Sequence, residues 1–168
     1  MITFILPGYS AHNKEWAEEV AAKLKLEGQI RPIFWDHWED PKAGFKLKEK
    51  VRLLVSVASG EKVNIIAKSV GTLVGAHLVK EIPENVEKVI LCGIPSVSEA
   101  RLKTFSNSYA TLSPEKIICF QNTKDPFVSY NQLKEFLKKV SSKIKVIEKP
   151  RTDHNYPYFE DFQKYLSS

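Results

Sequence analysis

Ser69 stands at the end of the run Val63-Asn64-Ile65-Ile66-Ala67-Lys68 and is followed by Val70-Gly71-Thr72, where a helical pattern begins. A strand that turns sharply into a helix at one serine lifts the hydroxyl clear of a sheet. The flanking residues, here Ala67 and Gly71, must then be small, because strand and helix pass close to the turn. A serine hydroxyl is a poor nucleophile at neutral pH. It needs a histidine to take its proton and a carboxylate to hold that histidine in the right tautomer. Asp125, in Thr123-Lys124-Asp125-Pro126-Phe127, and His154, in Arg151-Thr152-Asp153-His154-Asn155, supply those types, each just after an apolar run. The chemistry they would share is attack of Ser69 on an acyl carbon, with His154 as base and Asp125 as the acid that orients it. Two backbone N–H groups are candidates to hold the resulting oxyanion: that of Val70 at the helix start, and that of Tyr9 in Gly8-Tyr9-Ser10. Each side chain also has a plainer role open to it. Ser69 could cap a helix, Asp125 could initiate an Asp-Pro turn, and His154 could be a surface loop histidine. Their joint placement at strand ends favours the chemical reading.

Apolar runs and amphipathic segments alternate along the chain. Strands are expected at 2–6, 31–35, 62–67, 86–92, 116–120 and 144–148. Helical spacing is expected at 14–26, with Gly28 as its stop, and at 45–58, 70–80, 130–140 and 158–166. The stretch 96–111 is predicted to hold one helix, and 36–44 to be a loop. Continuously apolar strands separated by helices imply an α/β fold: a three-layer αβα sandwich around a mostly parallel sheet of about six strands. In such sheets, functional residues gather past the C-terminal ends of the strands. The chain shows no repeat, linker or low-complexity tract, so residues 1–168 are read as a single domain.

The composition narrows the function classes. The chain has 168 residues, 43% apolar and 27% charged, as in an ordinary globular protein. The net charge of +5 comes from 25 basic and 20 acidic residues. The lysines are spread over helix faces with no binding motif beside them, so no nucleic-acid partner is expected. The histidines and the two cysteines, Cys92 and Cys119, lack metal-ligand spacing, so no metal is expected. Pro7-Gly8-Tyr9-Ser10-Ala11 lacks the further glycines of a dinucleotide loop, and no cofactor is expected. No apolar run reaches the roughly 18 to 20 residues that span a bilayer, and no leader pattern opens the chain; the cytoplasm is the expected location.

The pattern resembles the α/β-hydrolase superfamily over nearly the whole chain. Leu6-Pro7-Gly8-Tyr9 is similar to the family's oxyanion loop, with Pro7 in place of a histidine. Ala67-Lys68-Ser69-Val70-Gly71 is similar to its nucleophile elbow, in an Ala-first variant. Lys124-Asp125-Pro126-Phe127-Val128 resembles the acid loop, and Asp153-His154 the histidine loop before a last helix. The order Ser, Asp, His is the family's order. The resemblance implies that Ser69, Asp125 and His154 act as nucleophile, acid and base, with Tyr9 and Val70 N–H at the oxyanion. The usual first two strands are missing, and little chain separates the fourth and fifth strands. This resembles the compact, lidless branch that includes the retinoblastoma-binding-protein-like serine hydrolases. The expected activity is cleavage of small or exposed carboxylic esters through an acyl-enzyme. A thioesterase or acyltransferase would use the same triad, and a binding protein could use the same scaffold. Ser10, His12, Trp38 and Lys68 are candidates for lining the site. Lys68, beside the nucleophile, could attract an anionic substrate or could simply be a solvated lysine.

Overall fold

A strand with no polar face must be covered on both sides, and that requirement sorts the strands into middle and edge. In the computed structural model, which describes residues 1–168, β1 (Ile2–Leu6), β3 (Val63–Lys68), β4 (Val86–Cys92) and β5 (Ile117–Asn122) form the middle of a six-stranded sheet. β2 (Gln29–Pro32) and β6 (Lys145–Lys149) are its edges. The order is β2-β1-β3-β4-β5-β6, and every neighbouring pair is parallel. β1, β3 and β5 are buried at every position, whereas the edge strands mix exposed and half-buried residues. This is the all-parallel, doubly covered sheet that the apolar runs demand.

The period of two along each strand divides the core into two layers. Ile2, Phe4 and Leu6 face one layer with Ile65 and Ala67; Ile5 faces the other with Ile66. The first layer is roofed by α2 (Leu47–Ala58), α3 (Gly71–Glu81), α4 (Glu99–Ser106) and α5 (Tyr130–Val140), through Leu54, Val74, Phe105 and Leu133 among others. The second is roofed by α1 (Asn13–Lys23) and α6 (Phe159–Leu166), through Trp16, Val20, Phe162 and Leu166. Residues 93–116 contribute only α4 and short 3-10 turns; Phe105 of α4 packs edge-on against Tyr109 and Phe136 in the helical layer. Nothing in that segment forms a cap over the sheet's end.

After β1 the chain crosses to β2 at one edge, then returns to place β3 on the other side of β1. The connections leaving β1 and β3 therefore diverge, and a crevice opens at their carboxyl ends. Crevices of this kind are where open α/β sheets place their ligands.

Most boundaries shift by one or two residues, and three differences from the sequence expectation matter more. The second strand ends at Pro32 rather than running to Trp35. Proline has no N–H to give the ladder, and an edge strand tolerates that. Ile33 N–H still donates to Ile5 carbonyl at 2.9 Å, after which Trp35 leaves the sheet and buries in the core. The first helix stops at Lys23, because Leu24 is already extended. Gly28 is consequently no helix stop. Its φ of +90° turns the chain into β2 so tightly that a Cβ there would lie 2.3 Å from Met1 carbonyl oxygen. Finally, residues 36–44 are not a plain loop but carry two 3-10 turns, Asp36–Trp38 and Pro41–Ala43.

Candidate active site

Ser69 follows the last residue of β3 and takes φ = +54°, a left-handed conformation that a residue with a Cβ adopts only when its surroundings impose it. The surroundings are visible. Ser69 N–H donates to Cys92 carbonyl at 2.9 Å, which ties the turn to the end of β4. The Ser69 carbonyl accepts from Thr72 N–H at 3.1 Å and from Thr72 Oγ1 at 2.6 Å. Gly71 opens α3 against the end of β1, where a Cβ would sit 2.0 Å from Leu6 carbonyl oxygen. No side chain fits there, so the small residue two places after the serine is a geometric requirement. Ser69 Oγ itself is engaged by no hydrogen bond.

Asp125 and His154 lie past β5 and β6. His154 Nδ1 and Asp125 Oδ2 are 2.6 Å apart, and the Asp125 side chain is wholly buried. An ionised carboxylate only accepts, so Nδ1 carries the hydrogen and Nε2 is left as the basic nitrogen. That Nε2 is buried and has no partner. His154 approaches the serine turn by way of β4. Gly93 follows Cys92, the residue that holds Ser69 N–H, and a Cβ on Gly93 would lie 2.8 Å from His154 Cε1.

Asp125 is held by more than the histidine. Tyr156 Oη donates to Oδ2 at 2.6 Å, and Phe127 N–H donates to Oδ1 at 2.9 Å. Burial works against the charge, but the hydrogen bonds from His154, Tyr156 and Phe127 outweigh it, and the carboxyl stays below its usual range. The neighbouring carboxylate, Asp153, is committed elsewhere: it pairs with Arg151, whose Nε lies 2.9 Å away.

The loop after β1 faces the serine turn from the other side of the crevice. Trp35 Nε1 donates to Gly8 carbonyl at 2.9 Å. Tyr9 carbonyl is met by Trp38 Nε1 and by His37 Nε2, each at 2.7 Å. In a trans peptide the N–H points opposite to the carbonyl. Pinning Gly8 carbonyl to Trp35 therefore turns Tyr9 N–H the other way. The N–H groups of Tyr9 and Val70 donate to nothing within the protein; Val70 directly follows Ser69, and the loop leading to Tyr9 packs on the start of α3, where a Cβ on Gly71 would lie 2.8 Å from Pro7 carbonyl oxygen. Val70 also precedes the first turn of α3, where unsatisfied N–H groups favour negative charge.

Such an arrangement suits acyl transfer: a raised hydroxyl, an imidazole with a fixed tautomer, and two vacant N–H donors. Residues 3–154 match the family model described as "Serine hydrolase". The chain belongs to the serine hydrolase family. None of the curated protein sequences matches this hydrolase. Among solved structures, it is similar to the ydeN gene product of Bacillus subtilis, with TM-score 0.63 and 14% identity over 99% of both chains. It is also similar to mouse alpha/beta hydrolase domain-containing protein 10, with TM-score 0.66 and 13% identity over 99% of this chain and 88% of that one. The Bacillus cereus carboxylesterase matches with TM-score 0.62 and 14% identity, over 99% and 87%. At these identities the likeness shows the fold alone: that of a compact α/β hydrolase without a cap.

Of the residues expected to line the site, Ser10, His12 and Lys68 border one cleft of about 480 Å³, together with His154. Trp38 does not border it. Its ring packs with Trp35 and His37 beneath the Tyr9 loop, where its indole N–H is used on Tyr9 carbonyl. The larger groove between α2 and α3, beside Val51 and His77, holds none of the candidate catalytic residues. Several residues of the hydrolase's site carry no sequence signal of their own. Asn122 Nδ2 donates to Asp153 carbonyl at 2.7 Å and to Asn155 carbonyl at 2.9 Å, gripping the backbone on both sides of His154. Trp16 Nε1, on α1, donates to Tyr156 carbonyl at 3.0 Å. Phe127, 62% exposed, lies edge-on to the His154 ring at 4.6 Å and forms an open apolar wall.

Proposed function

We propose that this hydrolase cleaves carboxylic esters through an acyl-enzyme on Ser69. His154 Nε2 takes the hydroxyl proton as Ser69 Oγ bonds to the acyl carbon, then returns it to the departing alkoxide. Asp125 holds the imidazole and stabilises it while charged. The N–H groups of Tyr9 and Val70 receive the oxyanion. Water, activated by the same histidine, then releases the acid and restores Ser69. The observation that carries this reading is the 2.6 Å His154–Asp125 pair, whose ring packs on Gly93, next to the Cys92 carbonyl that holds Ser69 in its left-handed turn.

The substrate class follows from the openness of the site. Residues 93–116 provide no cap, and the exposed rings of Tyr9 and Phe127 stand at its rim. Small or surface-presented esters are favoured over long buried acyl chains. The same lack of a cap supports the likeness to the retinoblastoma-binding-protein-like branch. We take residues 1–168 as one hydrolase domain. The two free, buried thiols, Cys92 and Cys119, support a reducing location such as the cytoplasm. No helix is long and apolar enough to cross a membrane.

A fluorophosphonate probe tests the reading directly. It is expected to label the wild type and not Ser69→Ala, with loss of ester turnover in the same variant. A folded wild type that takes no label, or an Ser69→Ala variant that still turns over short esters, would overturn it.

A further inference from the structure

Lys68 borders the site, and the proposed reaction leaves its chemistry unused. It is the last residue of β3, and the alternation along that strand turns it to the same face as Ile66, beneath α1. There it is only 6% exposed, which excludes a solvated lysine. Its Nζ lies 5.3 Å from the centre of the Trp16 ring, a cation–π contact that supports the charge on one side. No carboxylate lies within ion-pairing distance, and Nζ makes no hydrogen bond to the protein. Other buried or half-buried ammonium groups here do find partners: Lys50 reaches Asp36 and Lys149 reaches Asp161, both at 2.6 Å. An ammonium has three donors to satisfy, and no protein acceptor meets those of Lys68, whose Nζ keeps contact with solvent. Lys68 instead borders the cleft of about 480 Å³ that it shares with His154, Ser10 and His12.

Resting on the hydrolase reading above, we propose that this cleft is a carboxylate subsite and that the substrate is an ester carrying a free carboxylate, bound by Lys68 beside the reacting carbonyl. One lysine is a match for a single negative charge. Glu15 and Glu19 stand exposed on α1 at the rim of the same cleft, which disfavours a phosphate dianion. Burial makes the ammonium easier to deprotonate and brings it to about 8, with Cys92, Asp125 and Asp153 acting weakly the other way. The lysine is therefore mostly charged at neutral pH. Its charge, and with it the selectivity, fades as pH rises through that value.

The experiment compares isosteric pairs of esters. Monomethyl succinate against methyl 4-oxopentanoate places the carboxylate on the acyl side. Acetoxyacetate against acetoxyacetone places it on the alcohol side. In at least one pair, kcat/KM of the wild type is expected to favour the carboxylate ester by 10-fold or more. Lys68→Met should remove most of that ratio. In the wild type the ratio should fall between pH 7 and pH 9. Calorimetric titration of the same four esters into Ser69→Ala gives a readout that needs no turnover. If the wild type takes the fluorophosphonate label yet shows no preference in either pair, by kinetics or by binding, the subsite falls and the hydrolase reading stands. If it takes no label but binds a carboxylate ester selectively and Lys68-dependently, the subsite stands and the hydrolase reading falls. A preference that survives Lys68→Met unchanged would also overturn the assignment.

Discussion

The two halves of the candidate site solve opposite problems. In the acid–base half nearly every polar group is satisfied. Asp125 takes hydrogen bonds from His154, Tyr156 and Phe127, Tyr156 Oη also lies 3.3 Å from Asn122 N–H, and Asn122 clamps the backbone around His154. In the half proposed to hold the nucleophile and oxyanion, the candidate reactive groups are left vacant, and the bonding falls on their backs. The carbonyls of Gly8, Tyr9 and Ser69 are all engaged, while the N–H groups of Tyr9 and Val70 and the hydroxyl of Ser69 are free. A group that must meet a transient charge is preorganised by fixing its peptide from behind. A group that must keep its own charge is preorganised by direct bonds.

Substitutions should separate these two modes. The largest effect is expected from Ser69→Ala, which should lower kcat for short esters by at least about 1,000-fold while leaving the melting temperature nearly unchanged. Asp125→Asn should come next, at about 1,000-fold in kcat, because an amide no longer dictates the Nδ1–H tautomer. A loss under about 10-fold would mean that the acid–base half is not organised as described.

A smaller effect should follow from disturbing the oxyanion loop from behind. Trp35→Phe removes the only donor on Gly8 carbonyl and should cost about 10-fold in kcat with little change in KM. Trp38→Phe should cost less, because His37 still holds Tyr9 carbonyl. Equal effects would show that the two carbonyls are not distinct anchors.

Tyr156→Phe offers the finest test. A carboxylate with a depressed folded-state pKa contributes stability above its unfolded value, near 3.8, and that contribution is lost as pH falls through the folded value. Removing the tyrosine donor should raise the folded value. Acid unfolding should therefore begin at a higher pH than in the wild type, with about 1–2 kcal/mol lost at neutral pH. Urea titrations at pH 3 to 7 check both the size and the direction.

The order of strands and helices, and the placement of Ser69, Asp125 and His154 at strand ends, were legible in residue types and spacing. Apolar runs and helical spacing are local properties, and a serine between Ala67 and Gly71 is a local constraint. Trp35, Asn122 and Tyr156 were not legible. Each acts through hydrogen bonds to segments distant in sequence, and an isolated tryptophan, asparagine or tyrosine looks the same whether it packs or positions. Trp38 illustrates the same limit. Its neighbourhood after β2 suggested a cleft wall, but the early exit of the chain at Pro32 carries it beneath the Tyr9 loop.

By itself, then, the chain determined which residues could do chemistry and in what order the sheet would meet them, because both follow from local pattern and from the parallel sheet it implies. Only the tertiary structure decided the state of Lys68. Next to Ser69 in sequence it could be solvated or buried. The face it occupies, and the Trp16 ring that α1 lays against it, leave a nearly buried lysine with no protein acceptor, bordering the cleft beside His154. Burial depends on what long-range packing brings over a residue, and no stretch of neighbouring sequence carries that information.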